Sequence, residues 1–119
     1  MDFDTASPIW QQLVDEFVRR IVTGQWQPGE KLPSTRDLAF EYKVNPNTVQ
    51  RALAELDRRG HTRSERTAGR FVSEDTSALQ HLQQESAHTV AQELVEKLRG
   101  LGLSKTETVK LIETLWETS

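Results

Sequence analysis

Apolar residues recur at the three-to-four-residue spacing of a helix through most of this chain. Ile9, Leu13, Phe17 and Ile21 follow one another at four-residue steps, and Trp10, Val14 and Val22 widen the stripe. Ser7-Pro8 supplies a cap-then-proline start, and Gly24 supplies a stop. The residues polar to that stripe, Gln11, Gln12, Asp15, Glu16, Arg19 and Arg20, are expected to be solvated. Pro28-Gly29 favours a type II turn. Trp26, just before it, reads as a core plug rather than a ligand contact.

Two further helix starts lie close together. Ser34 can cap one helix, with Asp37 in a capping-box position. Asn45 can cap the next, with Pro46 in its first turn. Only Lys43 and Val44 separate these helices, so they must cross steeply, which predicts a helix-turn-helix. The second helix of the pair carries a stripe of Val49, Ala52, Leu53 and Leu56. Gly60 ends it. Thr62–Glu65 and Arg70–Ser73 then read as short segments of a hairpin around Arg66-Thr67-Ala68-Gly69.

From Thr76 onward Leu79, Leu82, Val90, Leu94, Leu98 and Leu101 space a long helix, broken at Gly100 and Gly102. Ser104 to Glu107 is a capping box that opens a last helix, with Val109, Ile112, Leu115 and Trp116 on its apolar side. The predicted fold is mainly α with a small β-hairpin. It is a winged helix-turn-helix over residues 1–74 followed by a two-helix C-terminal dimerisation tail over 75–119. A lone helical hairpin cannot close a core of its own. The tail's stripes must therefore pack on the winged domain or on a second copy of the chain, and the second copy is the expected partner.

Length and charge sharpen this picture. The chain has 119 residues, one small domain and an appendage, and no cysteine, which removes disulfide frameworks and zinc fingers. The N-terminus is acidic and no long apolar run follows, so neither signal peptide nor membrane span is expected and the location is expected to be cytoplasmic. Net charge is −3. Residues 31–70 nevertheless hold nine Lys and Arg against five Asp and Glu, whereas residues 75–119 hold four against seven. A basic centre beside an acidic tail suits a module that meets phosphate with one part only.

The chemistry on offer is recognition rather than catalysis. Opposite the stripe of the second paired helix lie Asn47, Gln50, Arg51, Ala54 and Arg58. Asn and Gln can pair with adenine, and Arg with guanine, along the major groove, and Ala54 allows close approach. A merely solvated face is the competing reading. His61, His81 and His88 have no metal-site spacing, and no phosphate loop or nucleophile arrangement occurs. No enzyme, metal or cofactor is expected.

The runs Pro8-Ile9-Trp10, Pro28 to Ala39, Val44 to Leu53 and Gly69-Arg70-Phe71-Val72 closely resemble the DNA-binding domain of GntR-family bacterial regulators. The short tail resembles the YtrA-type subfamily, in which that segment dimerises and whose members often control transporter operons. The resemblance implies contacts to DNA from Arg36, with Thr35 donating to phosphate. It also implies contacts from Pro46, Asn47, Thr48 and Gln50, and from a wing centred on Gly69 with Arg66 and Arg70 beside it. Pro46 departs from relatives with arginine there, which implies a different operator. His61-Thr62 departs from the usual apolar pair and leaves the packing of the first wing strand open.

The candidate DNA-contacting set is Ser34, Thr35, Arg36, Asn45, Pro46, Asn47, Thr48, Gln50, Arg51, Arg66, Thr67, Gly69 and Arg70. The candidate dimerisation set is Leu79, Leu82, Val90, Leu94, Leu98, Leu101, Val109, Ile112, Leu115 and Trp116. The expected partners are a double-stranded operator and a second copy of the chain, with no membrane. Any small-molecule effector is unknown, and its site is expected at the dimer interface or between tail and winged domain. A winged helix used only for protein contacts is the alternative function.

Overall fold

The computed structural model describes residues 1–119. The elements are α1 (Ile9–Val22), α2 (Thr35–Tyr42), α3 (Pro46–Arg58), β1 (Thr62–Glu65), β2 (Gly69–Val72), α4 (Ser77–Gly100) and α5 (Lys105–Thr118). The chain divides into two compact units, Met1–Leu82 and Gln83–Ser119, and the division falls within α4. Leu79 is buried in the core of the first unit, so that unit reaches beyond residue 74.

α1 begins differently from the expected pattern. Pro8 itself is the N-cap, and no side chain caps the helix. Gln12 folds the N-terminal segment back instead: its amide donates to the carbonyls of Asp4 and Ser7 and accepts from the Asp4 N–H. Arg20, expected in solvent, is half-buried. It stacks 4.2 Å over the Trp26 ring and donates to Tyr42 Oη and Glu41. A guanidinium prefers such a flat aromatic surface to partial dehydration without a partner.

The core joins Leu13, Val14, Phe17 and Ile21 of α1 to Leu38 and Ala39 of α2 and to Val49, Ala52, Leu53 and Leu56 of α3. Trp26 is 2% exposed and lies 5.4 Å from Phe17, ring to ring. Each fully buried large apolar side chain here contributes about 1.5–3 kcal/mol by leaving water. Between α2 and α3, Lys43 takes the left-handed conformation (φ 56°, ψ 48°), and the Val44 N–H returns to the Ala39 carbonyl. That sharp reversal lets α2 and α3 cross within two residues.

β1 and β2 pair antiparallel, Thr62 opposite Val72 and Glu65 opposite Gly69. The segment after the Pro28-Gly29 turn runs along the other edge of β2. Val72 N–H donates to Glu30 O (2.9 Å) and Leu32 N–H to Arg70 O (2.8 Å). The wing is thereby tied to the chain just ahead of α2.

The question left open at His61-Thr62 has a definite answer. Both residues are buried. Thr62 faces inward and its hydroxyl donates to Asp57, which satisfies the polar atom an apolar residue would not have. His61 is buried without a charged partner. Burial, aided by the Arg59 charge, lowers its pKa below 6.5. A lowered histidine pKa gives stability that is full above the unfolded value and declines as pH falls through the folded one. Thermal melts from pH 7.5 to 5 should therefore show falling stability, and His61→Leu should flatten the decline. An unchanged slope in that variant would assign the effect elsewhere.

The second unit is helical and open. α4 closes with a Schellman pattern: Gly102 N–H to Arg99 O and Leu103 N–H to Leu98 O, with Gly102 at φ 86°. Ser104 and Glu107 form the reciprocal capping box that starts α5. No residue of α5 is buried: Val109, Ile112 and Leu115 are exposed and Trp116 is 80% exposed. Val95, Leu103, Val109 and Ile112 line an open groove of about 660 Å³.

Candidate nucleic-acid interface

Local chemistry positions the paired helices. Ser34 Oγ accepts the Asp37 N–H at 3.1 Å, while the return bond from Asp37 that a capping box requires is not formed. Asn45 Oδ1 accepts the Asn47 N–H at 2.8 Å, and Pro46 occupies the first helical position. Ser34 and Asn45 thus work first as caps. With the four apolar residues of α3 buried, Asn47, Gln50 and Ala54 are exposed and Thr48 is half-buried. Thr35 donates its hydroxyl proton to Gln50 Oε1 at 3.1 Å, so the start of α2 and the exposed side of α3 meet at these residues.

The arginines of the candidate set divide into two groups. Arg51 stacks 4.3 Å over Trp10 of α1. Arg58, also on the exposed side of α3, pairs with Glu55. Arg70 is held by Asp57, its Nε 3.1 Å from Oδ1 and its terminal nitrogen 3.2 Å from Oδ2. Arg36 and Arg66, by contrast, are exposed and form no ion pair. Lys31 is likewise exposed and unpaired, and it lies along Gly69: a Cβ at that glycine would sit 2.9 Å from Lys31 Cε. Gly69 has φ 110°, which a side chain would strain independently of the contact.

An open cleft of about 510 Å³ separates Lys31–Thr35 from the wing tip, Ser64–Arg70. Lys31, Ser34, Thr35, Arg66, Thr67 and Gly69 line it, along with Arg70. Cationic side chains without protein partners, hydroxyls and a glycine with no side chain form a surface suited to a phosphate backbone. Among the described residues no group of His, Asp, Glu or Cys could hold a metal ion. No helix is long and apolar enough to cross a membrane.

Two residues of this region escaped the sequence pattern. Lys31 was visible in a basic count and inside the Pro28 to Ala39 run, with no role of its own. Asp57 was visible only as one of the five acids of residues 31–70. It accepts from Thr62 of β1, from Ser64 Oγ at 2.8 Å, and from Arg70 of β2, so one carboxylate braces both wing strands against α3. Burial works to raise its pKa, but the bonds from Thr62, Ser64 and Arg70 outweigh it and hold the carboxylate below its usual range. No spacing rule connects residue 57 with 62, 64 and 70, so the signal exists only in three dimensions.

Three helices in this order, a sharp α2–α3 turn at Lys43 and a wing beside a partly unpaired basic cleft define a winged helix-turn-helix DNA-binding protein. Residues 10–72 match the family model described as bacterial regulatory proteins, gntR family. The chain belongs to the GntR family and is a transcriptional regulator with a DNA-binding domain, not an enzyme. It is 36% identical over 115 residues to the uncharacterized HTH-type transcriptional regulator YhcF of Bacillus subtilis, covering 97% of this chain and 95% of that one. It is 37% identical over 75 residues to the HTH-type transcriptional repressor YtrA of the same organism, covering 63% of this chain and 58% of YtrA. Among solved structures, a GntR family transcriptional regulator from Listeria monocytogenes superposes with TM-score 0.77 at 32% identity over 94% of this chain and 98% of that one. The DNA-binding domain of AraR in complex with operator ORR3 superposes with TM-score 0.55 at 25% identity, covering 61% of this chain and 88% of that one.

Proposed function

We propose that this chain is a cytoplasmic repressor of the YtrA type that binds a palindromic operator as a homodimer. By the same likeness, the operon it controls encodes a transporter. The observation that carries the DNA-binding part is the cleft between the start of α2 and the wing, where Lys31 and Arg66 have no protein partner and Thr35 bonds to the exposed Gln50 of α3. Asn47 and Gln50 read bases in the major groove. Lys31, Arg36 and Arg66 meet phosphate, and the wing tip at Thr67 and Gly69 approaches the minor groove. YtrA is named a repressor, and the AraR domain was solved on its operator, which supports both the sense of regulation and the target. Arg70 braces the wing rather than touching DNA, and Arg51 contributes a stacked guanidinium at the edge of the surface.

The test uses duplexes selected by the protein from a random pool, with a scrambled duplex as reference, across a salt series. Gln50→Ala should lose about 1–3 kcal/mol on the selected duplex and relax selectivity at one base pair. Arg66→Ala should weaken both duplexes nearly alike and lower the salt slope by about one unit. Neither residue is in the core, so both variants should keep the wild-type melting curve. A wild-type protein that shows no salt-dependent retention on duplex or heparin would point instead to an adaptor built on the same fold.

A further inference from the structure

The bond between Thr35 and Gln50 rests on a single proton, and that proton limits what both residues can do on DNA. Thr35 is the first residue of α2 and is half-buried, and Gln50 is exposed on α3. The Thr35 hydroxyl donates to Gln50 Oε1 across 3.1 Å. A threonine hydroxyl has one proton to give and two lone pairs that accept. A phosphate oxygen only accepts. If Thr35 gave its proton to phosphate, its bond to Gln50 could survive only with the amide turned over, Nε2 donating to Thr35 Oγ1.

The two arrangements offer opposite chemistry to a base. With Oε1 held by Thr35, the Nε2 amino group is the free edge of Gln50 and seeks acceptors, such as guanine O6 and N7 or thymine O4. With the amide turned over, Oε1 is free and seeks the amino groups of adenine or cytosine. Oε1 keeps a second lone pair, so adenine can still meet both amide atoms, and the base that the held amide disfavours is cytosine, which offers a donor and no acceptor. Phosphate does not require Thr35, because Lys31 and Arg66 line the same cleft unpaired.

We propose that Thr35 is a specificity-determining positioning residue: its hydroxyl holds the Gln50 amide with Nε2 toward the major groove, so the protein rejects cytosine where Gln50 reads. This rests on the assignment of Gln50 to base readout. Thr35 makes no contact with phosphate in this arrangement.

The experiment uses the full chain and duplexes selected from a random pool. The base pair that Gln50 reads is the one whose preference broadens in Gln50→Ala, and affinities for all four pairs are then measured there. Wild type should bind cytosine least well there. Thr35→Val, which keeps the shape and loses the hydroxyl, should lower discrimination at that pair about fivefold or more. It should leave the salt slope unchanged. Thr35→Ser should restore the preference. A Thr35→Val protein that keeps the preference and loses about one unit of salt slope would show a phosphate donor and overturn the proposal. Preference for cytosine in the wild type would overturn it equally. If Gln50→Ala broadens no position, the readout assignment itself fails, and this inference fails with it.

Discussion

Ile112→Glu combined with Leu115→Glu is expected to turn a dimer into a monomer and to reduce operator affinity by about 10²–10⁴-fold, the gain that linked half-sites obtain from effective concentration. Neither side chain is buried within one chain, so the winged unit should melt as before. The reason for expecting dimerisation is unburied apolar surface. Val90, Leu94, Val95, Val109, Ile112, Leu115 and Trp116 are exposed on two consecutive helices, and Leu101 is exposed in the turn between them. Large apolar side chains exposed together in this way suit an interaction site. Sedimentation equilibrium and titration of a selected duplex decide the matter. A wild-type chain that sediments as a monomer at micromolar concentration, or a double variant that remains a dimer, would remove the tail from the interface.

A truncation version of this test depends on where the winged unit ends. Cutting after Asp75 would remove Leu79, which is 4% exposed and belongs to the core, and would confuse unfolding with loss of dimerisation. Cutting after Leu82 keeps it and follows the division between compact units.

Asp57→Ala is expected to release the wing and weaken binding to every duplex. Three partners lose their acceptor at once: Thr62, Ser64 and Arg70. Leaving a partly buried donor unsatisfied costs about 1–3 kcal/mol, and Arg70 has only 16% side-chain exposure. Hydrogen exchange should quicken from Thr62 to Val72 while α1 and α3 stay protected. Acid should act in the same direction. A carboxylate with a lowered folded pKa contributes stability that is present above its unfolded value, about 3.9, and is lost as pH falls through the folded value. Wing protection in the wild type should therefore fade below about pH 4 and be insensitive to acid in Asp57→Ala. Unchanged exchange across the wing in the variant would mean that the backbone ladder to Glu30 and Leu32 holds it unaided.

Much of what positions the candidate surface could be read from neighbouring residues. Ser34, Asn45 and Pro46 announce helix starts because a cap acts within three residues of itself, and the observed bonds to Asp37 and Asn47 are of that kind. The exposed side of α3 followed from the 3.6-residue period that placed Val49, Ala52, Leu53 and Leu56 inward. The same local reasoning misjudged Arg20 and overlooked Asp57. Arg20 meets Trp26, Glu41 and Tyr42, and Asp57 meets both wing strands, so their partners lie on other elements. It also could not sort the arginines: five share one chemistry, yet Arg51, Arg58 and Arg70 have protein partners while Arg36 and Arg66 have none.

The sequence by itself determined the order of helices and hairpin, the sharp α2–α3 turn, the apolar stripes and the class of ligand, because caps, turns and periodicity are properties of adjacent residues. Tertiary structure alone decided which cations are left without protein partners, which carboxylate is bonded to both wing strands and which residue bonds to the Gln50 amide. Those outcomes depend on charges and hydrogen-bond partners far apart in the chain, such as Asp57 with Arg70 and Thr35 with Gln50, and only folding brings them within reach.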